Sequence, residues 1–199
     1  MAEVVPVKMR VLIGYAGVSL VVFLSWFPLL SEAAGQSFPS LLREIPDPTG
    51  HYAITWKMGS LTEEKPHQLF LKNLANGRKS KLFEFYRQID VLWAPDGKYV
   101  AITDWTGSNV AQILIFLPGK KKIVDLAESL YRSLGQHPDI SNSVHVHFEA
   151  VSWNGPRKLL FRVSGDLPDD GAGGSRGFEH HFEFELSGAV RELRSDEVR

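Results

Sequence analysis

The chain has no cysteine among its 199 residues, so it forms no disulfide and offers no thiol as nucleophile or metal ligand. It has no Gly-x-Ser-x-Gly elbow leading from a strand into a helix, and no Gly-Lys-Ser/Thr phosphate-loop ending. Basic residues form no long block and the formal net charge is −1, which argues against nucleic acid as a partner. We therefore expect a chain that is not an enzyme.

The first 35 residues have the order typical of a secretory signal peptide. Lys8 and Arg10 precede an apolar run that extends from Val11 to Leu30, and small residues suited to cleavage follow up to Gly35. The alternative is an uncleaved inner-membrane anchor over residues 11–30, since that run is long enough to span a bilayer. Both interpretations place the rest of the chain outside the cytoplasm, as a periplasmic or secreted protein or as an anchored one.

A short pattern occurs three times, at a period of roughly 50 residues, which is typical of a modular β-architecture. The clear copy is Trp93-Ala94-Pro95-Asp96-Gly97-Lys98, followed by the apolar run Tyr99–Ile102. Degraded copies begin at Pro46 and at Trp153. Each copy reads as the end of one strand, a tight turn and the start of the next strand.

Apolar and aromatic residues recur in short runs bounded by turn-forming residues, which predicts many short strands. The predicted strands are His51–Lys57, His67–Asn73, Ser80–Tyr86, Ile89–Trp93, Lys98–Trp105, Val110–Phe116, Lys121–Val124, Val144–Trp153, Lys158–Val163, Phe178–Leu186 and Ala189–Leu193. One amphipathic helix interrupts them near residues 124–135, with Asp125 as its N-cap and Gly135 as its C-cap.

These elements predict a mainly β fold: an antiparallel meander of about three repeats of three or four strands each, with one amphipathic helix. The meander forms a single domain over residues 36–199, built as a partial propeller or as a sandwich. Closed propellers need about four to eight blades, so three repeats do not complete a ring. A homo-oligomer that closes the ring from two copies is one way to resolve this.

The copy at Trp93–Lys98 resembles the repeat of the WD40-like β-propellers of the Tol type, which reads tryptophan, a small residue, Pro, Asp, Gly, Lys and an apolar strand. The other copies depart from that pattern, because no tryptophan precedes Pro46 and the order of the turn residues after Trp153 is rearranged. The resemblance implies a propeller-like fold. In that family the motif is structural, so the resemblance implies no catalytic residues.

The most concentrated set of polar side chains is His145, His147 and Glu149. Alternate residues of a strand share a face, so these three are expected on one side of the strand. Two imidazoles and a carboxylate are ligand types that bind zinc. We predict a zinc site here as an alternative function, namely a metal-binding protein or a metal-dependent hydrolase. No other cofactor is predicted.

Three connections between predicted strands are candidates for a binding surface: residues 57–66, residues 104–109 and the Gly-rich stretch 169–177. The Gly-rich stretch precedes a strand rather than a helix, so it is not a phosphate loop. Loops carried by a rigid scaffold often hold binding residues. The candidate contact residues are Glu63, Glu64, Asp104, Trp105, Asn109, Asp169, Asp170 and Arg176.

The favoured hypothesis is therefore an exported, non-enzymatic β-protein that binds a protein or an envelope component through loops at one end of its sheet. A membrane partner enters only if residues 11–30 stay attached.

Overall fold

The computed structural model describes residues 35–39, 43–60, 65–120, 122–168 and 174–198. In chain order its elements are β1 (Gln36–Phe38), β2 (Glu44–Pro46), β3 (Tyr52–Lys57), β4 (His67–Asn73), β5 (Lys79–Phe85), β6 (Gln88–Trp93), β7 (Val100–Trp105), β8 (Val110–Leu117), β9 (Lys122–Asp125), α1 (Leu126–Leu134), α2 (Pro138–Asn142), β10 (His145–Asn154), β11 (Lys158–Pro168), β12 (Ser175–Glu185) and β13 (Val190–Leu193). Among these residues, no helix has the length and apolar character needed to cross a membrane.

The strands form three consecutive antiparallel meanders. The first repeat, β2 to β5, is a separate four-stranded sheet. The second repeat, β6 to β9, and the third, β10 to β13, belong to one nine-stranded sheet that also includes β1, which pairs with β6. The predicted mainly β, propeller-like meander is therefore confirmed.

Two hydrophobic cores hold the three repeats together. One lies between the first and second repeats and includes the fully buried Ile54, Leu69 and Ile102. The other lies between the second repeat, the third repeat and α1, and includes the fully buried Phe161 and Phe182. The second repeat thus buries both of its faces, which explains the almost uninterrupted apolar run of β8.

The first two copies of the sequence pattern form equivalent turns, with six residues between the paired Pro46 and Ala53 and between the paired Trp93 and Val100, whereas the third copy turns in three residues between the paired Asn154 and Lys158. Gly50, Gly97 and Gly155 each adopt a left-handed conformation, with φ of 73°, 68° and 71°. Glycine adopts this region without the penalty that a Cβ atom brings. The degraded copies therefore keep a glycine with a left-handed backbone in the turn, although the residues around it differ from those of the clear copy.

The tryptophans of the second and third copies each join their repeat to the preceding one. Trp93 Nε1 donates to the carbonyl of Ile45 at 3.2 Å, and Trp153 Nε1 donates to the carbonyl of Leu92 at 3.0 Å. Ile45 and Leu92 occupy equivalent positions, each one residue before the end of the first strand of its repeat. Pro46 stands at the tryptophan position of the first repeat.

The outward faces of the first and third repeats are covered by ion pairs. On the first repeat, Lys72 Nζ lies 2.6 Å from Glu44 Oε2. On the third repeat, Arg162 pairs with both Glu149 and Glu179. Terminal repeats of stacked proteins typically carry such polar outer faces. Ring closure by a second copy stays a prediction.

The predicted helix is confirmed as α1. Asp125 accepts hydrogen bonds from the backbone N–H groups of Ala127 and Glu128, and Gly135 follows the last turn. Two features were not predicted: the short helix α2, and a parallel contact in which Val146 and His147 of β10 pair with the start of β8. Strand β1 precedes the first repeat along the chain and pairs with β6 of the second.

Candidate functional site

The meander brings one set of connections to a single end of the protein, which we call the hairpin end. It comprises the connection from β3 to β4, Tyr86–Arg87 between β5 and β6, residues 106–109 between β7 and β8, Ser143–Val144 before β10, and the connection from β11 to β12. Pairing of Gln88 with Trp105 and of His145 with Asp166 fixes this arrangement within the large sheet. The Gly-containing turns lie at the opposite end.

Large apolar side chains are exposed at the hairpin end. Tyr86 is 67% exposed, Val144 60%, Met58 59% and Val110 49%. Each belongs to a different connection or strand start at this end. Single exposed apolar residues are ordinary on protein surfaces, but several at one end mark a candidate interaction surface.

The predicted contact residues have different environments. Glu63, Glu64, Asp169 and Asp170 lie outside the described residues. Trp105 ends β7 and is half-buried, and Asn109 precedes β8 and accepts a hydrogen bond from Val146 N–H at 3.1 Å through its carbonyl. Arg176 lies within β12, paired with Leu167. Their role in binding stays a prediction.

Asp104 is buried rather than presented for contact, with 4% of its surface exposed. Burial raises the pKa of its carboxyl group above the usual value, and the hydrogen bond from Gln112 opposes that shift. Gln112 Nε2 donates to Oδ2 at 3.4 Å, while Oδ1 has no hydrogen-bond partner among the described residues. The sequence predicts Asp104 where the strand Lys98–Trp105 meets the connection 104–109, which is why it is a predicted contact residue.

Asp90 organises the polar side chains at the same end of β6. Its carboxylate accepts from Trp105 Nε1 at 2.5 Å, from Ser37 Oγ at 2.5 Å and from Gln88 Nε2 at 3.0 Å. These bonds fix β1 and β7 to β6 and hold the indole of Trp105 beside the His147 ring, with the ring centroids 5.6 Å apart. The hairpin end is therefore carried by a rigid hydrogen-bonded base.

The predicted metal ligands each have another partner. His145 Nδ1 lies 3.3 Å from Asp166 Oδ2, and His147 Nε2 lies 3.2 Å from the carbonyl oxygen of Ser108. Glu149 pairs with Arg162. Strand β11 lies between β10 and β12, so the histidines of β12 are two strand spacings away from these residues. The zinc site at these residues stays a prediction.

A different group has the geometry of a metal site among the described residues. One ligand atom from each of His137, Asp139 and His180 lies within 4.8 Å of the others. From the alternation of its strand, His180 is expected only as a hydrogen-bonded histidine on an apolar face. Its partners were missed because they lie on the unpredicted α2 and just before it, about 40 residues away along the chain.

The sequence letters Gly-x-Ser-x-Gly do occur at residues 173–177. However, Ser175 is the first residue of β12 and pairs with Pro168 of β11. A nucleophile elbow requires a turn from a strand into a helix, so this serine does not have that geometry.

No family model matches the chain, and no curated protein matches it. Among solved structures, the β-propeller domain of the trilobed protease from Pyrococcus furiosus aligns with a TM-score of 0.50 at 11% identity, covering 77% of this chain and 43% of that one. This likeness shows the propeller fold alone.

Two further solved structures are similar at lower scores. TolB from Acinetobacter baumannii aligns at 0.41 with 13% identity over 80% of this chain and 32% of that one. Dipeptidyl peptidase 4 from Porphyromonas gingivalis aligns at 0.46 with 13% identity over 76% and 25%. In all three comparisons the chain spans less than half of the matched protein.

Proposed function

We propose that this chain is a non-enzymatic β-domain that binds another protein through its hairpin end. The observation that carries the proposal is the exposure of Met58, Tyr86, Val110 and Val144, one from each of several connections that converge there. Burying such side chains against a partner removes apolar surface from water, at roughly 25 cal/mol per Å².

The hairpin end is suited to docking because its base is rigid. The connections there leave strands whose inner faces are fully buried, including Ile89 and Val163. A rigid base limits the loss of conformational entropy when a partner binds. A propeller-like scaffold with binding residues on its connections is also consistent with the general placement of function on loops.

The proposed location is outside the cytoplasm, in the periplasm or secreted, with the partner a protein of the same compartment. This rests on the order of residues 1–35, which lie outside the described part of the chain except for Gly35. Whether residues 11–30 are cleaved or remain as an anchor decides only whether the hairpin end acts in solution or beside a membrane.

A pair of variants tests the docking surface. The hairpin variant carries Met58→Ser, Tyr86→Ser and Val144→Thr, and the matched control carries Ile123→Thr and Val151→Thr. The control residues are 47% and 44% exposed and lie away from the hairpin end, on β9 and within β10. All of these side chains are exposed, so both variants are expected to unfold at the wild-type temperature.

The measurement is quantitative capture of partners from envelope extracts of the native host by the immobilised chain without residues 1–35. Each apolar side chain buried in an interface contributes on the order of 1.5 kcal/mol, so the hairpin variant is expected to bind at least about 10-fold more weakly. The control variant is expected to retain wild-type capture. Equal capture by the hairpin and control variants would contradict the proposal.

A further inference from the structure

A cluster of two histidines and two carboxylates joins the third repeat to the segment that follows α1. His180 lies on β12 and Glu192 on β13, while His137 precedes α2 and Asp139 lies in its first turn. His180 Nε2 lies 2.8 Å from Asp139 Oδ2, and His180 Nδ1 lies 2.8 Å from Glu192 Oε1. The rings of His137 and His180 have centroids 4.5 Å apart.

The hydrogen bonds of His180 leave one position for a cation, between its Nε2 atom and the carboxylate of Asp139. Ionised carboxylates only accept hydrogen bonds, and a neutral imidazole carries a single N–H donor. If Nδ1 donates to Glu192, the lone pair of Nε2 faces an oxygen of Asp139 at 2.8 Å. Two acceptors at that distance repel each other unless a proton or a metal ion lies beside both.

The arrangement around His180 matches the orientation that histidine ligands usually have. A metal-binding histidine almost always donates its other ring N–H to a carboxylate or a carbonyl, which fixes the tautomer and the ring plane. Glu192 supplies that carboxylate at Nδ1, which leaves Nε2 directed at Asp139. His137 adds a second imidazole, whose buried Nδ1 has no hydrogen-bond partner among the described residues.

We propose that His137, Asp139 and His180 bind a divalent transition-metal ion, and that the ion is zinc. Two imidazoles and one carboxylate are a common zinc ligand set, with a water or a further ligand completing the coordination. Ligand atoms about 2.0–2.2 Å from one zinc ion lie about 3–3.5 Å apart. His180 Nε2 and Asp139 Oδ2, now 2.8 Å apart, would therefore separate slightly, and the wider spacings in the group, which are at most 4.8 Å, would close by side-chain rotation. Glu192 is a positioning residue that orients His180.

The ion reaches this site from solvent. The side chains of Asp139 and Glu192 are 34% and 42% exposed. An open cleft of about 430 Å³ is lined by His180, His181 and Glu192 among others, so it reaches His180 and Glu192 of the cluster. The bound ion crosslinks α2 to β12 of the large sheet, so its role is to stabilise the connection between the second and third repeats.

The test is a zinc titration of chelator-treated protein, followed by calorimetry and, with cobalt as a spectroscopic substitute, by visible absorption. The wild-type chain is expected to bind one ion and to unfold at a higher temperature when zinc is present. Loss of an outer-shell partner typically weakens metal binding 10–100-fold, so Glu192→Gln is expected in that range. Asp139→Asn, which removes a ligand, is expected to weaken it by more than about 100-fold.

The matched control is the double variant His145→Gln, His147→Gln, which removes the imidazoles of the other predicted site and is expected to leave zinc affinity unchanged. The proposal is overturned if the wild-type chain shows no saturable binding. It is equally overturned if Asp139→Asn binds zinc as tightly as the wild type, or if the double variant is the one that loses the ion. Circular dichroism of each variant without metal shows whether it is folded.

Discussion

A turn glycine avoids two costs that alanine would bring, namely the strain of a left-handed backbone and the clash of a Cβ atom with its neighbours. Comparing Gly97→Ala with Gly155→Ala separates these two costs. Gly97 has φ of 68°, and a Cβ atom there would lie 2.9 Å from Asp47 Oδ2 and 3.0 Å from Thr49 Oγ1. Gly155 has nearly the same φ, but a Cβ atom there meets nothing within 4 Å. The two glycines are therefore a matched pair.

The carboxylate that an alanine would displace is itself buried and bonded. Asp47 is 4% exposed and accepts hydrogen bonds from His51 N–H at 3.0 Å and from Tyr52 N–H at 3.2 Å. Hydrogen bonds to a charged acceptor contribute about 1.5–3 kcal/mol each, and the left-handed conformation costs a non-glycine residue about 1–2 kcal/mol. Gly155→Ala is thus expected to lower the free energy of unfolding by about 1–2 kcal/mol, and Gly97→Ala by about 3–5 kcal/mol.

Urea unfolding followed by tryptophan fluorescence measures both variants. The dependence of the unfolding free energy on urea concentration should stay unchanged, because neither substitution alters the surface exposed on unfolding. If the two variants lose equal stability, the contact between the turn of the second repeat and Asp47 of the first contributes nothing to the free energy of unfolding. The reasoning about how the first two repeats join would then be refuted.

Three further outcomes are expected. Trp153→Phe leaves the carbonyl of Leu92 without its donor and should lower the free energy of unfolding by about 1–3 kcal/mol in urea; an unchanged value would contradict the inter-repeat bond. Burial raises the pKa of Asp104 in the folded state, so its negative charge lowers the free energy of unfolding at pH values above that pKa. This loss of stability disappears as the pH falls towards the unfolded-state pKa of about 3.9. Asp104→Asn should therefore gain stability relative to the wild type as pH rises through that window, and a pH-independent difference would refute this. Hydrogen bonds from Arg194 and Arg191 lower the pKa of Glu197 to about 2, which an NMR titration of its side chain should show; a midpoint near 4.5 would show that the C-terminal turn is not formed.

Much of the fold could be predicted because its signals are local. The turn glycines Gly50, Gly97 and Gly155 recur at intervals of roughly 50 residues. Alternation along β12 separates the buried Phe182 and Phe184 from the charged Glu183 between them. Asp125 and Gly135 bound α1 by capping chemistry that needs no tertiary context. The registers of these elements follow from such patterns.

The candidate sites could not be predicted as readily, because they depend on contacts between distant segments. The five residues of α2 are too few to show a helical period, so nothing in the sequence placed Asp139 beside His180. Likewise, Asp104 and its neighbour Trp105 lie on opposite faces of β7. Which of these faces is buried depends on the segments that pack over the end of β7. The parallel contact between β8 and β10 has no local signal.

The most direct test of the docking surface is site-specific photo-crosslinking in cells that produce the protein naturally. A photoreactive amino acid replaces Tyr86 or Val144 at the hairpin end and, as controls, Ile123 or Val151. The account predicts that one partner protein crosslinks from both hairpin positions and from neither control. Crosslinks to that partner from Ile123 or Val151, with none from Tyr86 and Val144, would contradict it.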